Sequence, residues 1–200
     1  MNIWRQESQV FHEVGWRAYY SESIISEAIA SKVLSDNLYL LPYSGVALDL
    51  ACGLGANALL LAQQGMTVQA WDISTLALQK LQVQADTEAL SIKTFTKEIT
   101  PYSFSINSFD VVVVGRFLDR SICNAIMECL KPNGLLFYQT YTQHKVYLHG
   151  PKNPKFLLAD NELLSLFSPM KVIYYRENSA VGDTRQGLRN EAQFIGQKRG

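Results

Sequence analysis

Two glycines carry the strongest chemical signal in this sequence. Gly53 and Gly55 follow the apolar run VALDLA, residues 46–51, and precede a segment long enough for a helix. A glycine at a strand end lets the backbone turn tightly, and a second one lets the backbone approach a ligand without a Cβ in the way. The N-terminus of the following helix adds unpaired N–H groups and partial positive charge. This arrangement predicts a nucleotide-binding turn.

The spacing of these glycines and a later acid fit a nucleoside cofactor. Gly53, Gly55 and Ala58 satisfy the pattern GxGxxA, and Asp72 ends the next apolar run, TVQAWD. A carboxylate at that strand end can accept hydrogen bonds from both ribose hydroxyls. Two cofactors satisfy the pattern so far, a nicotinamide dinucleotide and S-adenosylmethionine.

Three features favour S-adenosylmethionine over the dinucleotide. Residues 1–45 precede the first predicted strand, whereas a dinucleotide fold normally opens on that strand. Asp49 lies inside the strand just before the turn, where a carboxylate favours the ammonium group of a methionine moiety and disfavours a pyrophosphate. Only residues 143–200 follow the strand GLLFYQTYT, which leaves little room for the substrate region of a dehydrogenase.

The elements that position these residues alternate between strand and helix. Alternation of this kind predicts an open, mostly parallel sheet that is covered on both faces. Strands are predicted at 46–51, 67–72, 92–96, 109–115, 134–142, 170–176 and 192–197, helices at 21–37, 57–64, 74–87 and 118–130, and a further helix capped by Asp160. A turn is predicted at KPNG, 131–134, and the last two strands are predicted to form a hairpin that adds an antiparallel strand at one edge.

Composition limits the class of protein. A chain of 200 residues, 48% hydrophobic and 18% charged, can bury one sizeable core, which predicts a single domain, 1–200. Eighteen basic and 18 acidic residues form no clustered run, so neither nucleic acid nor a membrane surface is an expected partner. The three cysteines show no CxxC spacing, which predicts a reducing cytoplasm and no metal site. No signal peptide or membrane span is predicted.

The turn belongs to a longer set of motifs. Five stretches occur in order: LDLACGLGAN, WDIS, FDVVVVGRFLDR, LKPNGLLFYQTY and GPKNPKFLLADNELLSLF. Together they resemble the class I S-adenosylmethionine-dependent methyltransferases, and most closely the bacterial branch related to tellurite-resistance and thiopurine methyltransferases. The resemblance covers roughly residues 16–176. It implies an α/β, Rossmann-like fold with a seven-stranded, mostly parallel sheet, helices on both faces and an antiparallel last strand.

The resemblance also implies roles for individual residues. The cofactor-binding set that it implies is Asp49, Ala51, Cys52, Gly53, Gly55, Asn57, Asp72, Ile73, Glu98, Ile99 and Arg116. Within it, Asp72 would hold the ribose and Ile73 would pack on the adenine. Two departures from the family pattern are Ala51, where many relatives have glycine, and Thr96, where an aspartate often contacts adenine.

The acceptor side is less clearly marked. Residues 1–45 would form a helical cap over the cofactor site, with Trp16 and Tyr20 in a Trp-x-x-x-Tyr element that either contacts substrate or is plain core. Arg116 and Arg120 either bind an anionic substrate or form surface ion pairs. His144, His149 and Tyr141, in or beside the irregular segment 143–159, are candidate bases, and packing or surface positions are the alternative. Cys52 is expected to be a small apolar filler rather than a nucleophile.

Methyl transfer from a sulfonium places few demands on catalytic residues. The reaction is an in-line displacement with an already activated leaving group, so holding donor and acceptor in line is the main requirement. A base is needed for a hydroxyl or amine acceptor but not for a thiolate, selenolate or tellurium oxyanion. The predicted function is therefore S-adenosylmethionine-dependent methylation of a small molecule. The alternatives are an NAD(P)-dependent oxidoreductase and a non-catalytic module that binds S-adenosylmethionine.

Overall fold

Seven strands form one twisted sheet in the computed structural model, which describes Ile25 and residues 28–200. The strand order is β3-β2-β1-β4-β5-β7-β6. Neighbours among the first five strands pair in parallel, and β7 is antiparallel to both β5 and β6. The strands are β1 Val46–Leu50, β2 Thr67–Asp72, β3 Ile92–Thr96, β4 Phe109–Gly115, β5 Leu130–Tyr141, β6 Lys171–Arg176 and β7 Glu191–Gln197. The predicted mostly parallel sheet with an antiparallel last strand is confirmed.

The position of β7 corrects one prediction. The antiparallel strand does not lie at the edge, because β7 inserts between β5 and β6 and leaves β6 outermost. Burial explains this order. Six of the seven residues of β7 are buried, whereas Lys171, Val172 and Ile173 of β6 are exposed. A strand that is buried along its length requires a neighbour on each side and cover on both faces.

Helices cover both faces of the sheet. They are α1 Lys32–Ser35, α2 Ala56–Gln63, α3 Thr75–Thr87, α4 Cys123–Cys129 and α5 Glu162–Leu166, with 3-10 turns at Leu38–Leu40, Pro101–Ser103, Arg120–Ile122 and Pro154–Phe156. On one face, Leu34, Leu61 and Leu81 from the first three helices pack with Val111 and Val113. On the other, Ile126 and Leu163 from the last two helices pack with Val112 and Val114.

Four predicted local structures differ from those observed. The predicted helix over 21–37 is interrupted in its described part, where Ile25 is 3-10, residues 28–31 have no helical structure and Lys32–Ser35 is α-helical. Asp160 does not cap α5, because the cap residue is Asn161 and Asp160 instead pairs with His144. The turn at 131–134 is a bulge within β5, where Phe109 pairs with Leu130 but Val111 pairs with Leu135. The stripe predicted at 118–130 is a 3-10 turn followed by the short α4.

The parallel strands place their carboxyl ends at one edge of the sheet. We call this the carboxyl edge, and it also includes the start of β7, since Glu191 pairs with Tyr141 at the end of β5. Ligands of open α/β sheets bind at this edge. None of the helices in the described part of the chain has the length and apolar content that crossing a bilayer requires.

Candidate cofactor and acceptor site

The turn after β1 is built from left-handed backbone. Ala51, Gly53 and Gly55 have φ angles of 53°, 53° and 75°. Gly55 is required for packing as well, because a Cβ there would lie 2.4 Å from Cδ2 of Leu81 in α3. Gly55 therefore lets α2 begin close to its neighbouring helix, whether or not a ligand is bound.

Ala51 is strained in this turn and offers a test of it. A non-glycine residue in the left-handed region costs about 1–2 kcal/mol. Ala51→Gly relieves this strain, but the glycine also makes the unfolded chain more flexible, which offsets part of the gain. We therefore expect the free energy of unfolding to rise by about 1 kcal/mol. Urea unfolding measures the change. Ala47→Gly, in the buried middle of β1, is the matched control and is expected to lower stability. A loss of stability in both variants would contradict a strained turn.

Asp72 joins the end of β2 to the turn. Its Oδ2 accepts a hydrogen bond from the backbone N–H of Gly53, and its Oδ1 accepts one from Ser74, both at 2.8 Å. Burial raises the pKa of this carboxyl, and the N–H groups of Ser74, Gly53 and Ile73 oppose the rise. A carboxylate has about four acceptor positions, so the group can still accept hydroxyl donors. The 8% of Asp72 that remains exposed gives a ligand access to it.

Asp49 lies beneath the turn and has no exposed surface. Its Oδ2 accepts from the backbone N–H of Ala58 at 2.9 Å, and its Oδ1 accepts from Nδ2 of Asn57 at 3.4 Å. Burial raises the pKa of Asp49 from 3.8 to about 7, these two hydrogen bonds oppose the rise, and the charge of Asp72 adds to it. Asp49 therefore fixes the start of α2, and its side chain has no exposed surface that a ligand could contact.

These two acids test which cofactor the turn fits. Both carboxylates are buried, and among the described residues their hydrogen-bond donors are backbone N–H groups and the Asn57 amide. A cationic ligand would stabilise their ionised forms, whereas an anionic pyrophosphate would add a like charge. The donor set therefore fits S-adenosylmethionine, which carries ammonium and sulfonium groups, better than a dinucleotide.

The other predicted cofactor residues gather beside Asp72. Thr96 pairs with Asp72 in the β2–β3 register, and Glu98 and Ile99 follow it. Lys97 donates its backbone N–H to the Asp72 carbonyl, and its Nζ lies 3.5 Å from the centre of the Trp71 ring. The end of β3 is thereby fixed to the end of β2, as an adenine-binding wall would require.

Cys52 lies within the turn, and its surroundings disfavour a thiolate. Burial raises the pKa of the thiol well above its usual value, and the charges of Asp49 and Asp72 raise it further. A reactive cysteine needs the opposite environment. This geometry supports the prediction that Cys52 is not a nucleophile.

Arg116 follows β4 and is held in a defined position. Its φ is 56°, and its backbone N–H donates to the Gln139 carbonyl at 2.7 Å. Its Nε donates to Oε1 of Glu191 at 3.1 Å, and Glu191 is almost fully buried. Oε2 of Glu191 accepts from Nε2 of Gln139 at 2.5 Å. Arg116 is therefore a positioned, half-exposed cation at the carboxyl edge.

Asn190 fixes the segment that follows β5. Its Oδ1 accepts from the backbone N–H groups of Val146 and Tyr147, and its Nδ2 donates to the Tyr147 carbonyl. These contacts orient the amide, so Nδ2 also donates to Nδ1 of His149 at 3.2 Å. In neutral His149 the proton then lies on Nε2. Nδ1 is already used, which disfavours His149 as the base.

The remaining base candidates lie apart. The Tyr141 ring centre is 6.0 Å from that of His149. His144 lies elsewhere, with Nε2 3.5 Å from Oδ1 of Asp160, at a surface cavity of about 490 Å³ that Glu177 also lines. The two histidines therefore do not form one catalytic cluster.

Arg120 is committed to contacts within the protein. Its Nε and Nη2 bind the two carboxylate oxygens of Glu162 at 2.6 and 2.8 Å. Its Nη1 and Nη2 also donate to the carbonyls of Lys155 and Leu157. The sequence left two roles open for Arg120, binding of an anionic substrate and an ion pair at the surface. These contacts support the ion pair.

A family match follows the same elements. Residues 47–134, from β1 into the start of β5, match the family model described as "Methyltransferase domain". The match spans the turn, Asp72 and Arg116. This part of the chain, from β1 to the start of β5, is therefore similar to a methyltransferase domain.

Proteins of similar sequence carry methyltransferase names. A protein of Geobacillus sp. (strain WCH70), GWCH70_2453, named as a candidate methyltransferase, is 30% identical over 132 residues, which are 60% of this chain and 52% of that protein. The chain spans about half the length of the curated relatives that it matches.

Solved structures confirm the fold. TehB from Haemophilus influenzae has a TM-score of 0.71 and 23% identity over 92% of this chain and 67% of its own. Phosphoethanolamine N-methyltransferase 2 from Haemonchus contortus, solved with S-adenosyl-L-methionine, has a TM-score of 0.64 and 16% identity over 83% and 53%. The chain therefore shares the fold of TehB.

Several buried polar residues beside the candidate site were not predicted from the sequence. Ser31, Gln139, Asn190 and Glu191 are all buried polar residues at the carboxyl edge. Gln139 gives the only local signal, as an amide within the apolar strand LLFYQTY. Trp16, Tyr20 and most of the cap predicted at 1–45 lie outside the described residues.

Proposed function

We propose that the chain transfers a methyl group from S-adenosylmethionine to a small-molecule acceptor. The observation that carries the proposal is the pair of buried acids, Asp49 and Asp72, at the left-handed turn between β1 and α2. A cation compensates this charge, and Asp72 retains acceptor capacity for ribose hydroxyls. When bound, S-adenosylmethionine supplies an activated methyl group on a positively charged sulfur.

In this proposal, the residues of the chain bind the cofactor and orient it toward the acceptor. Asp72 would hold the ribose, the backbone around Gly53 would receive the methionine end, and Ile73 and Ile99 would flank the adenine. The Arg116 side chain would lie between the bound cofactor and the methyl acceptor. Positioning of two reactants in line is worth on the order of 7–11 kcal/mol, so the reaction requires no further catalytic group when the acceptor is already nucleophilic.

The contacts of the two candidate histidines bear on the class of acceptor. The two histidines of the 143–159 segment are separated, and Nδ1 of His149 is bonded to Asn190. Nε2 of neutral His149 already carries a proton, so His149 is disfavoured as a base, whereas His144 lies against the carboxylate of Asp160, which is the arrangement of an oriented base. An acceptor that is already nucleophilic needs no base, and His144 is the candidate base for an acceptor that must lose a proton.

A thermal shift experiment tests the cofactor. S-adenosylhomocysteine at 100 times its dissociation constant should stabilise the protein by about 2.7 kcal/mol, which raises the Tm by about 5–10 °C for a chain of this size. NADH at the same concentration should leave the Tm unchanged. A shift with NADH alone would overturn the proposal in favour of an oxidoreductase.

Transfer of labelled methyl from S-adenosylmethionine tests the activity. We expect product with at least one of a panel of thiols, selenite, tellurite, phenols and amines. Binding of S-adenosylhomocysteine without product from any acceptor would instead identify a non-catalytic binding module.

A further inference from the structure

The short helix α1 is held by side chains from distant parts of the chain. Four residues cannot form a stable helix alone. Ser31, at its N-cap position, makes no side-chain capping bond, and its hydroxyl instead donates to Oδ1 of Asn57 at 2.8 Å. The first-turn N–H of Val33 donates to Oε1 of Gln139, also at 2.8 Å. The start of α1 therefore depends on Asn57 and Gln139.

Each of these two amides also donates to a buried acid. Nδ2 of Asn57 donates to Asp49, and Nε2 of Gln139 donates to Glu191. Gln139 has a fixed orientation, because its Oε1 accepts a second hydrogen bond from Nε2 of Gln193 at 3.1 Å. We call these two hydrogen-bonded series of residues, Ser31–Asn57–Asp49 and Val33–Gln139–Glu191, the two relays.

Both relays end at the proposed cofactor site. Asp49 binds the N–H of Ala58 in the first turn of α2, directly after the glycine turn. Glu191 binds Nε of Arg116, directly after β4. The backbone at Ser31 and Val33 is thus connected to both sides of the site through hydrogen bonds between buried groups.

The second relay requires a carboxylate at position 191. Glu191 is 4% exposed and accepts from both Gln139 and Arg116. Both oxygens of a carboxylate accept, whereas a glutamine of the same size would turn its NH₂ group toward one of the two donors. Arg116 in turn compensates the buried charge.

We propose that Glu191 and Gln139 are positioning residues of the methyl-transfer site, which couple the docking of α1 to the placement of Arg116. The inference rests on the proposed function, because it assigns these residues to the S-adenosylmethionine site. Neither residue touches the reacting groups in this scheme. They set where Arg116 and the start of α1 lie.

The test compares Glu191→Gln with wild type by two measurements. Amide exchange by NMR should show the Val33 N–H exchanging at least ten-fold faster in the variant, and calorimetry should show roughly ten-fold weaker binding of S-adenosylhomocysteine. Gln139→Met is a second variant that removes the Val33 contact but keeps Arg116 on Glu191. It should accelerate Val33 exchange with a smaller loss of affinity.

Asp110→Asn is the matched control. Asp110 also accepts from a cation, Nζ of Lys131, and from a backbone N–H, that of Val46, but at the opposite edge of the sheet. It should change neither Val33 exchange nor affinity. Unchanged Val33 exchange in both relay variants, or faster exchange with wild-type affinity in both, overturns the proposal. Failure of wild type to bind S-adenosylhomocysteine overturns the proposed function itself, and the relay role falls with it.

Discussion

Asp72→Ala should weaken binding of S-adenosylhomocysteine by roughly 10- to 150-fold, the range expected for lost hydrogen bonds to a charged group. Asp72 is the acid at the end of β2 that lies next to the turn and retains exposed surface. The ribose hydroxyls would lose their acceptor, and no other carboxylate in the described structure joins β2 to the turn. Isothermal titration calorimetry measures the change directly.

The same substitution also removes acceptors within the protein. The N–H groups of Gly53 and Ser74 both bind Asp72 at 2.8 Å, and each buried donor left without a partner costs about 1–3 kcal/mol. Affinity must therefore be measured where circular dichroism shows the variant to be folded. Asp72→Asn keeps the size and one acceptor oxygen, and should lose affinity with a smaller loss of stability.

Asp110→Ala separates the two effects. It also removes a carboxylate that binds a strand N–H, that of Val46, but at the amino end of the parallel strands. It should lower stability and leave affinity unchanged. Wild-type affinity in Asp72→Ala would show that Asp72 does not bind the ribose.

The parts of the fold that sequence predicts are those set by local pattern. The β-branched run FDVVVVG gives β4 its bounds, since a strand buried on both faces has this composition. Ser74 begins α3 as predicted, because its Oγ accepts from the N–H of Ala77 within the same turn. The glycine turn and Asp72 are predictable for the same reason, as their spacing encodes one strand-turn-helix unit.

The parts that sequence does not predict depend on contacts between distant residues. The apolar spacing over 21–37 predicts a long helix, yet Ser31 and Val33 bind Asn57 and Gln139 instead. The order of β6 and β7 depends on which strand of the hairpin is better covered, a property of the assembled sheet. Glu191 reaches the carboxyl edge and Arg116 because antiparallel pairing places it beside Tyr141.

A buried acid with a raised pKa makes the stability of the protein depend on pH. The pKa of Asp49 rises to about 7 in the folded chain, from 3.8. The folded state therefore holds a proton that the unfolded state releases between these values. The contribution of protonated Asp49 to stability is complete below about pH 4 and is lost as the pH rises to about 7. Each unit of pKa difference is worth about 1.4 kcal/mol, so the loss is on the order of 4 kcal/mol.

Asp49→Asn isolates this contribution, because asparagine does not ionise. Other carboxyls, including Asp110 and Glu162 with lowered pKa values, titrate in both proteins, so the difference in free energy of unfolding reports Asp49. We expect Asp49→Asn to gain stability relative to wild type as the pH rises from 4 to about 7, with no further gain above pH 7. Urea unfolding at each pH from 4 to 8 measures the difference. A difference that does not change with pH would show that Asp49 is ionised throughout this range. A cationic ligand stabilises the ionised form. Wild type should therefore bind S-adenosylmethionine more tightly, relative to S-adenosylhomocysteine, which lacks the sulfonium charge, as the pH rises through 7. In Asp49→Asn that preference should not vary with pH, which ties the charge beneath the turn to the charge of the methyl donor.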